Sequence, residues 1–259
     1  QKLDLYLPSG NGPFPLVVVV HGNRMPWYLS YPGYDYLTRH LATHGFIALA
    51  IEEDFLNGLV EDEIDARAIV ILRHLQLLRE WNRPGSGHRL AGKIDLDHIA
   101  LGGHSRGGEA IAAAWYLNTA RHDPTDPDHD FNFAIRSLCA LAPTDGLFTL
   151  DSQGQITIDL HDVDYFVMHG SHDGDVHGFQ GLRMYDRAFA PAVPGSGEKA
   201  MLFIQRADHA GWNTVWAKQG DPYPVRPRDP AQTLLSPGDQ QAIGKIHITA
   251  WLKWTLRGD

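Results

Sequence analysis

Gly103-His104-Ser105-Arg106-Gly107 stands between an apolar run, Ile99-Ala100-Leu101-Gly102, and a run of small and apolar residues from Gly108 to Trp115. That order reads as a strand, a sharp turn and a helix. Glycines on both sides of Ser105 permit a strained turn that a side chain would block, and the turn lifts the serine hydroxyl out at a helix N-terminus. This is the form of a nucleophile elbow. The flanking strand and helix supply the context that a bare G-x-S-x-G lacks.

Outward from the elbow, strands and helices alternate. Lys2-Leu-Asp-Leu-Tyr-Leu7 alternates polar and apolar residues like a half-exposed strand, whereas Pro15-Leu-Val-Val-Val-Val20 is continuously apolar like an interior one. Further buried strands are expected at Phe46–Ile51, His98–Leu101, Ile135–Leu141, Tyr165–Met168 and Ala200–Ile204. A helix is expected over about residues 60 to 81, with Ile64, Ala68, Ile71, Leu72, Leu75 and Leu78 on one face. Glu61, Asp62 and Glu63 suit its N-terminal dipole. Ser236-Pro237 opens a last helix with Ile243, Ile246, Ala250, Trp251 and Trp254 at helical spacing. The alternation specifies an α/β fold, a mostly parallel central sheet flanked by helices on both faces. The Pro- and Asp-rich stretches 122–130 and 219–230 read as surface loops near the carboxyl edge of the sheet, within excursions at 119–134 and 213–235.

Composition narrows the partners. The 259 residues, 43% of them hydrophobic, suffice for one large core, so one domain over 1–259 is expected. Net charge is −9 and no block of lysine or arginine occurs, which argues against nucleic acid. The single cysteine, Cys139, lies in an apolar run and reads as a buried structural thiol. No apolar stretch approaches the ~18–20 residues of a membrane span. The sequence starts at Gln1 without a methionine, so secretion after removal of a preceding segment stays open, as does oligomeric state.

A serine hydroxyl is a weak nucleophile at neutral pH and needs a histidine to take its proton and a carboxylate to hold that imidazole. In a sheet of this type both belong in loops beyond later strands. Strand Tyr165–Met168 runs into His169-Gly-Ser-His-Asp-Gly-Asp-Val176, which offers Asp173 as the acid, with Asp175 as an alternative. Asp145, after an earlier strand, is a third candidate. Strand Ala200–Ile204 runs into a short loop presenting His209 as the base, in the chain order Ser105, Asp173, His209. The oxyanion of an acyl transfer needs backbone donors. The Arg106 amide supplies one, and the turn His21-Gly22 after the interior strand points to Asn23 N–H, or else Arg24, as the second.

Leu16 to Gly22, Gly103–Gly107, Gly170–Asp173 with Val176, and Ala207-Asp208-His209 resemble the motif series of the α/β-hydrolase superfamily. Leu5-Tyr-Leu-Pro8, Leu41–Phe46 and Asp97–Ser105 are similar to the dienelactone-hydrolase-like, chlorophyllase-like and platelet-activating-factor acetylhydrolase-like esterases, including polyester hydrolases. The resemblance implies a triad on Ser105, Asp173 and His209, an oxyanion hole at Asn23 and Arg106, carboxylic ester hydrolysis, and neither metal nor organic cofactor. The substrate would be a small-molecule or polymeric ester. Dienelactone hydrolases proper use a cysteine nucleophile, which this elbow lacks. Secreted polyester hydrolases usually carry a disulfide near the C-terminus, which one cysteine cannot form. An amidase or peptidase using the same triad, or a catalytically silent fold used for binding, are the alternatives.

Met25, Trp27, Tyr28, Tyr31 and Tyr34 cluster after the oxyanion turn, and Trp212 and Trp216 follow His209. Trp27 and Trp212 are the substrate-contact candidates, with core packing as the alternative. Asp126, Asp128 and Asp130 alternate like calcium ligands but lack the required glycine and distal glutamate, so a solvated loop is expected. Glu52, Glu53 and Asp54 are expected at the cleft mouth or on a solvated edge, and Glu109 as a complement to the helix dipole.

Overall fold

A computed structural model describes residues 2–58, 63–150, 154–188, 196–229 and 231–259. Seven strands form one sheet: β1 (Leu3–Tyr6), β2 (Phe14–Val20), β3 (Ile47–Ile51), β4 (Ile94–His104), β5 (Ile135–Leu141), β6 (Asp164–Gly170) and β7 (Lys199–Ile204). Their spatial order is β1-β3-β2-β4-β5-β6-β7, with β1 antiparallel to β3 and every other pair parallel. The fold is therefore α/β and mostly parallel, as the alternation of strand and helix patterns requires.

Continuously apolar strands arise because both faces are covered. In β2, Leu16, Val18 and Val20 enter a core under α2 (Ile64–Asn82) and α3 (Arg106–Ala120), while Val17 and Val19 enter a second core under α1 (Asp35–Thr43) and α6 (Pro237–Arg257). Two shorter helices, α4 (Gln180–Arg187) and α5 (Thr214–Gln219), complete the set among the described residues. The apolar face of α2 is buried at all six expected positions, Ile64 to Leu78. Its expected N-terminal acids Glu61 and Asp62 lie outside the described residues. Cys139 is buried in β5, and burial pushes its thiol well above the usual range.

Four expectations are corrected. β7 is an edge strand, half exposed along most of its length, because no strand among the described residues pairs beyond it. The last helix forms, with Ser236 accepting from Asp239 N–H at 3.1 Å as its N-cap. Its buried face, however, carries Gly244, Ile248, Trp251, Leu252 and Leu256, whereas Ile246 and Trp254 are 63% and 50% exposed. Loop 122–130 joins the end of α3 to the start of β5 and so lies at the amino edge of the sheet, where Arg73, Gln76 and Arg79 of α2 bind it. Within the expected excursions, Phe131 and Phe133 are buried in the core and α5 is helical.

Candidate active site

Ser105 has φ 59° and ψ −129°, a conformation that costs a residue with a side chain of order 1–3 kcal/mol. Three backbone hydrogen bonds hold it there. Ser105 N–H donates to Leu141 at 2.9 Å, and Ser105 C=O accepts from Gly108 at 2.8 Å and Thr144 at 3.3 Å. The flanking glycines are needed by close approach. A Cβ on Gly103 would stand 2.2 Å from Gly107 O, and one on Gly107 would stand 2.5 Å from His21 O.

The candidate acid Asp173 and the candidate base His209 come together beyond β6 and β7. Asp173 Oδ2 lies 2.8 Å from His209 Nδ1, and its other oxygen accepts from the amides of Asp175 at 3.0 Å and Val176 at 2.8 Å. Gly170 lets the two loops meet, since a Cβ there would fall 2.3 Å from Ala207 O. The His209 loop is tied down by α6, where buried Gln240 accepts from Asp208 N–H at 3.1 Å and donates to Asp208 O at 2.8 Å. Asp221 accepts from His209 N–H at 3.2 Å. The His209 ring is 4.6 Å from the ring of His104, the neighbour of Ser105, and Nε2 is buried without a hydrogen-bond partner among the described residues.

Electrostatics at His209 run against burial. Desolvation disfavours the imidazolium, but the charge and hydrogen bond of Asp173, with the charges of Asp175 and Asp221, outweigh it and raise the ring above 6.5. His104 goes the other way: burial, then repulsion from His209, hold it well below 6.5. Its Nδ1 meets Tyr34 Oη at 2.8 Å, and Trp216 covers both imidazoles, 4.8 Å from His104 and 6.2 Å from His209. Sequence reasoning left His104 without a role although it stands inside the motif. His104 is fully buried beside Ser105, whereas Arg106 on its other side reaches Glu63.

The turn after β2 is set by His21. Glu53 N–H donates to His21 Nε2 at 2.9 Å, so the ring proton sits on Nδ1 and donates to Gly22 O at 2.7 Å. Burial, reinforced by Arg67, pushes His21 down to about 3, so it stays neutral. In a trans peptide the C=O and the next N–H point oppositely, so anchoring Gly22 O to the ring turns Asn23 N–H away from it. Gly22 itself presses on the elbow: a Cβ there would stand 2.4 Å from Ser105 Cβ. The Asn23 side chain is held by Gly58, accepting its N–H at 2.8 Å.

Glu53 and Asp54 are neither at a cleft mouth nor on a solvated edge. Both are buried beneath this turn: Glu53 faces the fully buried Arg67, and Asp54 accepts from Ser30 N–H at 3.2 and 3.0 Å and from the Asn57 side-chain N–H at 2.9 Å. Arg67 contacts Glu53 and Glu63, each at 3.3 Å, and Asn57 Oδ1 at 2.8 Å. Glu63 then binds the Arg106 guanidinium at 2.8 and 2.7 Å. Burial, partly offset by Arg67, pushes Glu53 up to about 8. Glu109 does more than face a dipole: it accepts from Gly146, Leu147 and Phe148 N–H at 2.9, 2.6 and 2.8 Å and fixes the loop after β5.

The other candidates are dispersed. Asp145 is paired with Arg187 at 2.9 and 2.6 Å. Trp212 is fully buried under α6 near Gly244, receiving a hydrogen bond from Tyr36 on its carbonyl at 2.9 Å, so it packs the core and does not face a cleft. Trp27 is 71% exposed on the loop that follows Asn23. Asp128 and Asp130 are paired with Arg73 and Arg79. No group of three or more metal-ligating side chains occurs among the described residues. None of the described helices is long and apolar enough to cross a membrane.

A mostly parallel sheet with a serine elbow after a central strand and an acid–histidine pair after the last two is the architecture of the α/β-hydrolases. Residues 1–155 match the family model for chlorophyllase, and the chain belongs to that family of ester hydrolases. No curated protein matches it.

Proposed function

We propose that this chain is a serine hydrolase of carboxylic esters. His209 takes the proton of Ser105 Oγ as that oxygen attacks the ester carbonyl, and Asp173 holds the ring and balances the imidazolium. The N–H groups of Asn23 and Arg106 receive the oxyanion of the tetrahedral intermediate. The imidazolium then protonates the departing alcohol, leaving an acyl group on Ser105. Water, deprotonated by His209, attacks that acyl-enzyme, and a second tetrahedral intermediate releases the acid and restores the serine. The chemistry uses only side chains and amides of this chain. Trp27 supplies an apolar contact for the substrate beside the oxyanion turn.

The observation that carries the reading is the 2.8 Å bond between Asp173 and His209, whose ring packs on the neighbour of a strained Ser105. The test is a panel of p-nitrophenyl esters from acetate to decanoate with the matching p-nitroanilides. Ester turnover well above anilide turnover is expected, and its chain-length profile sizes the acyl pocket. Faster anilide turnover would make the chain an amidase, and absence of both would make it a binding protein.

A further inference from the structure

His209 has a carboxylate at each ring nitrogen. Asp173 is bonded to Nδ1, and Asp175 Oδ2 lies 3.8 Å from Nε2. The arrangement is built in, because the Asx turn in which Asp173 accepts from the amides of Asp175 and Val176 fixes the second aspartate relative to the first. The Asp175 carboxylate makes no hydrogen bond among the described residues and is about a third exposed, while Nε2 is buried and unpartnered.

We propose that Asp175 is a positioning residue that draws the Nε2–H of protonated His209 toward itself and away from Ser105 Oγ. The inference rests on the reading of His209 as the base. A neutral ring presents its Nε2 lone pair to the carboxylate and gains nothing; an imidazolium presents an N–H and is attracted. Asp175 therefore stabilises the form of His209 that cannot take a proton, and restrains the ring between the steps in which Nε2 must face the reacting oxygens.

Other groups surround the ring without filling this role. Asp208, in the same loop, is engaged by Gly211 N–H, and Asp221, after α5, by His209 N–H and Tyr223 N–H. His104 at the end of β4 and His169 at the end of β6 are both held below 6.5 by burial. Arg24, from the loop after β2, lowers Asp175 but donates to Gly220 O at 2.7 Å. Burial is the larger influence on Asp175 and raises its carboxyl, so its pull on His209 fades in acid.

The experiment compares wild type with Asp175→Asn, and with Asp175→Ser as a second variant, by two readouts. One is the acid limb of kcat/KM against pH for p-nitrophenyl butyrate. The other is the His209 ring titration by NMR, which needs no turnover. In both variants the acid limb and the titration are expected to move down together by about 0.5–1 pH unit, whatever the height of the plateau. Coincidence of both curves with wild type would overturn the proposal. Loss of turnover in Asp175→Asn with Asp173→Asn still active would also overturn it, by making Asp175 the triad acid. A shifted titration in a protein that turns over no ester would keep the pairing and sink the esterase reading instead.

Discussion

At the amino edge of the sheet Asp126, Asp128 and Asp130 lie in partly exposed pairs with His129, Arg73 and Arg79. At the carboxyl edge Asp173 and Asp175 flank the two nitrogens of one buried histidine. Both loops alternate aspartate with another residue and both use Asx turns, so spelling does not separate them. Burial and the partner do. In the first loop the carboxylates meet partly exposed basic side chains, pairs worth at most ~1 kcal/mol. In the second, one carboxylate is saturated by two amides and an imidazole, while Nε2 of that imidazole and Nε2 of neighbouring His104 stay buried and unsatisfied. Unsatisfied polar atoms beside a strained serine are what set this loop apart from the other and underlie the proposal that a substrate binds there.

The contrast breaks first at the serine. Ser105→Ala is expected to cut ester kcat by on the order of 10⁴–10⁶-fold with the fold intact by circular dichroism. Asp173→Asn is expected to cost about 10⁴-fold in kcat, because an amide donating to His209 favours the wrong tautomer. A smaller loss there would mean that the base is oriented by something else. Gly22→Ala would push a methyl into Ser105, and a kcat loss of about 10²–10³-fold, comparable to losing one oxyanion donor, is expected in steady-state kinetics. Trp27→Ala is expected to raise KM for the longer esters a few-fold with little change in thermal stability, since the ring is exposed. An unchanged KM would remove Trp27 from the substrate site. At the other edge, Asp128→Asn is expected to leave kcat/KM unchanged and to shift stability by less than ~1 kcal/mol in urea titration.

The fold and the chain order of Ser105, Asp173 and His209 are legible because they depend on local rules: apolar runs for buried strands, glycines for a strained turn, loops beyond parallel strands. What was not legible depends on distance in sequence. The set Glu53, Glu63, Arg67 and Arg106 is held by single contacts that span up to 43 positions, and a buried arginine looks like a surface one until its partners are known. The exposed side of α6 and the half-exposed β7 carry apolar residues that periodicity assigns to a core. Trp27 and Trp212 each follow a candidate site residue in sequence, Asn23 and His209, yet Trp212 packs under α6 and Trp27 stands in solvent. Asp175 reads as a turn residue or a spare acid, and its place at Nε2 emerges only when β6 and β7 bring their loops together.

The most direct test is intact-mass measurement after treatment with a fluorophosphonate, with peptide mapping, on wild type and Ser105→Ala. One adduct, located on Ser105 and absent from the variant, is expected. An adduct elsewhere, or none in a folded protein, would contradict the assignment of Ser105 as a nucleophile activated by His209 and Asp173.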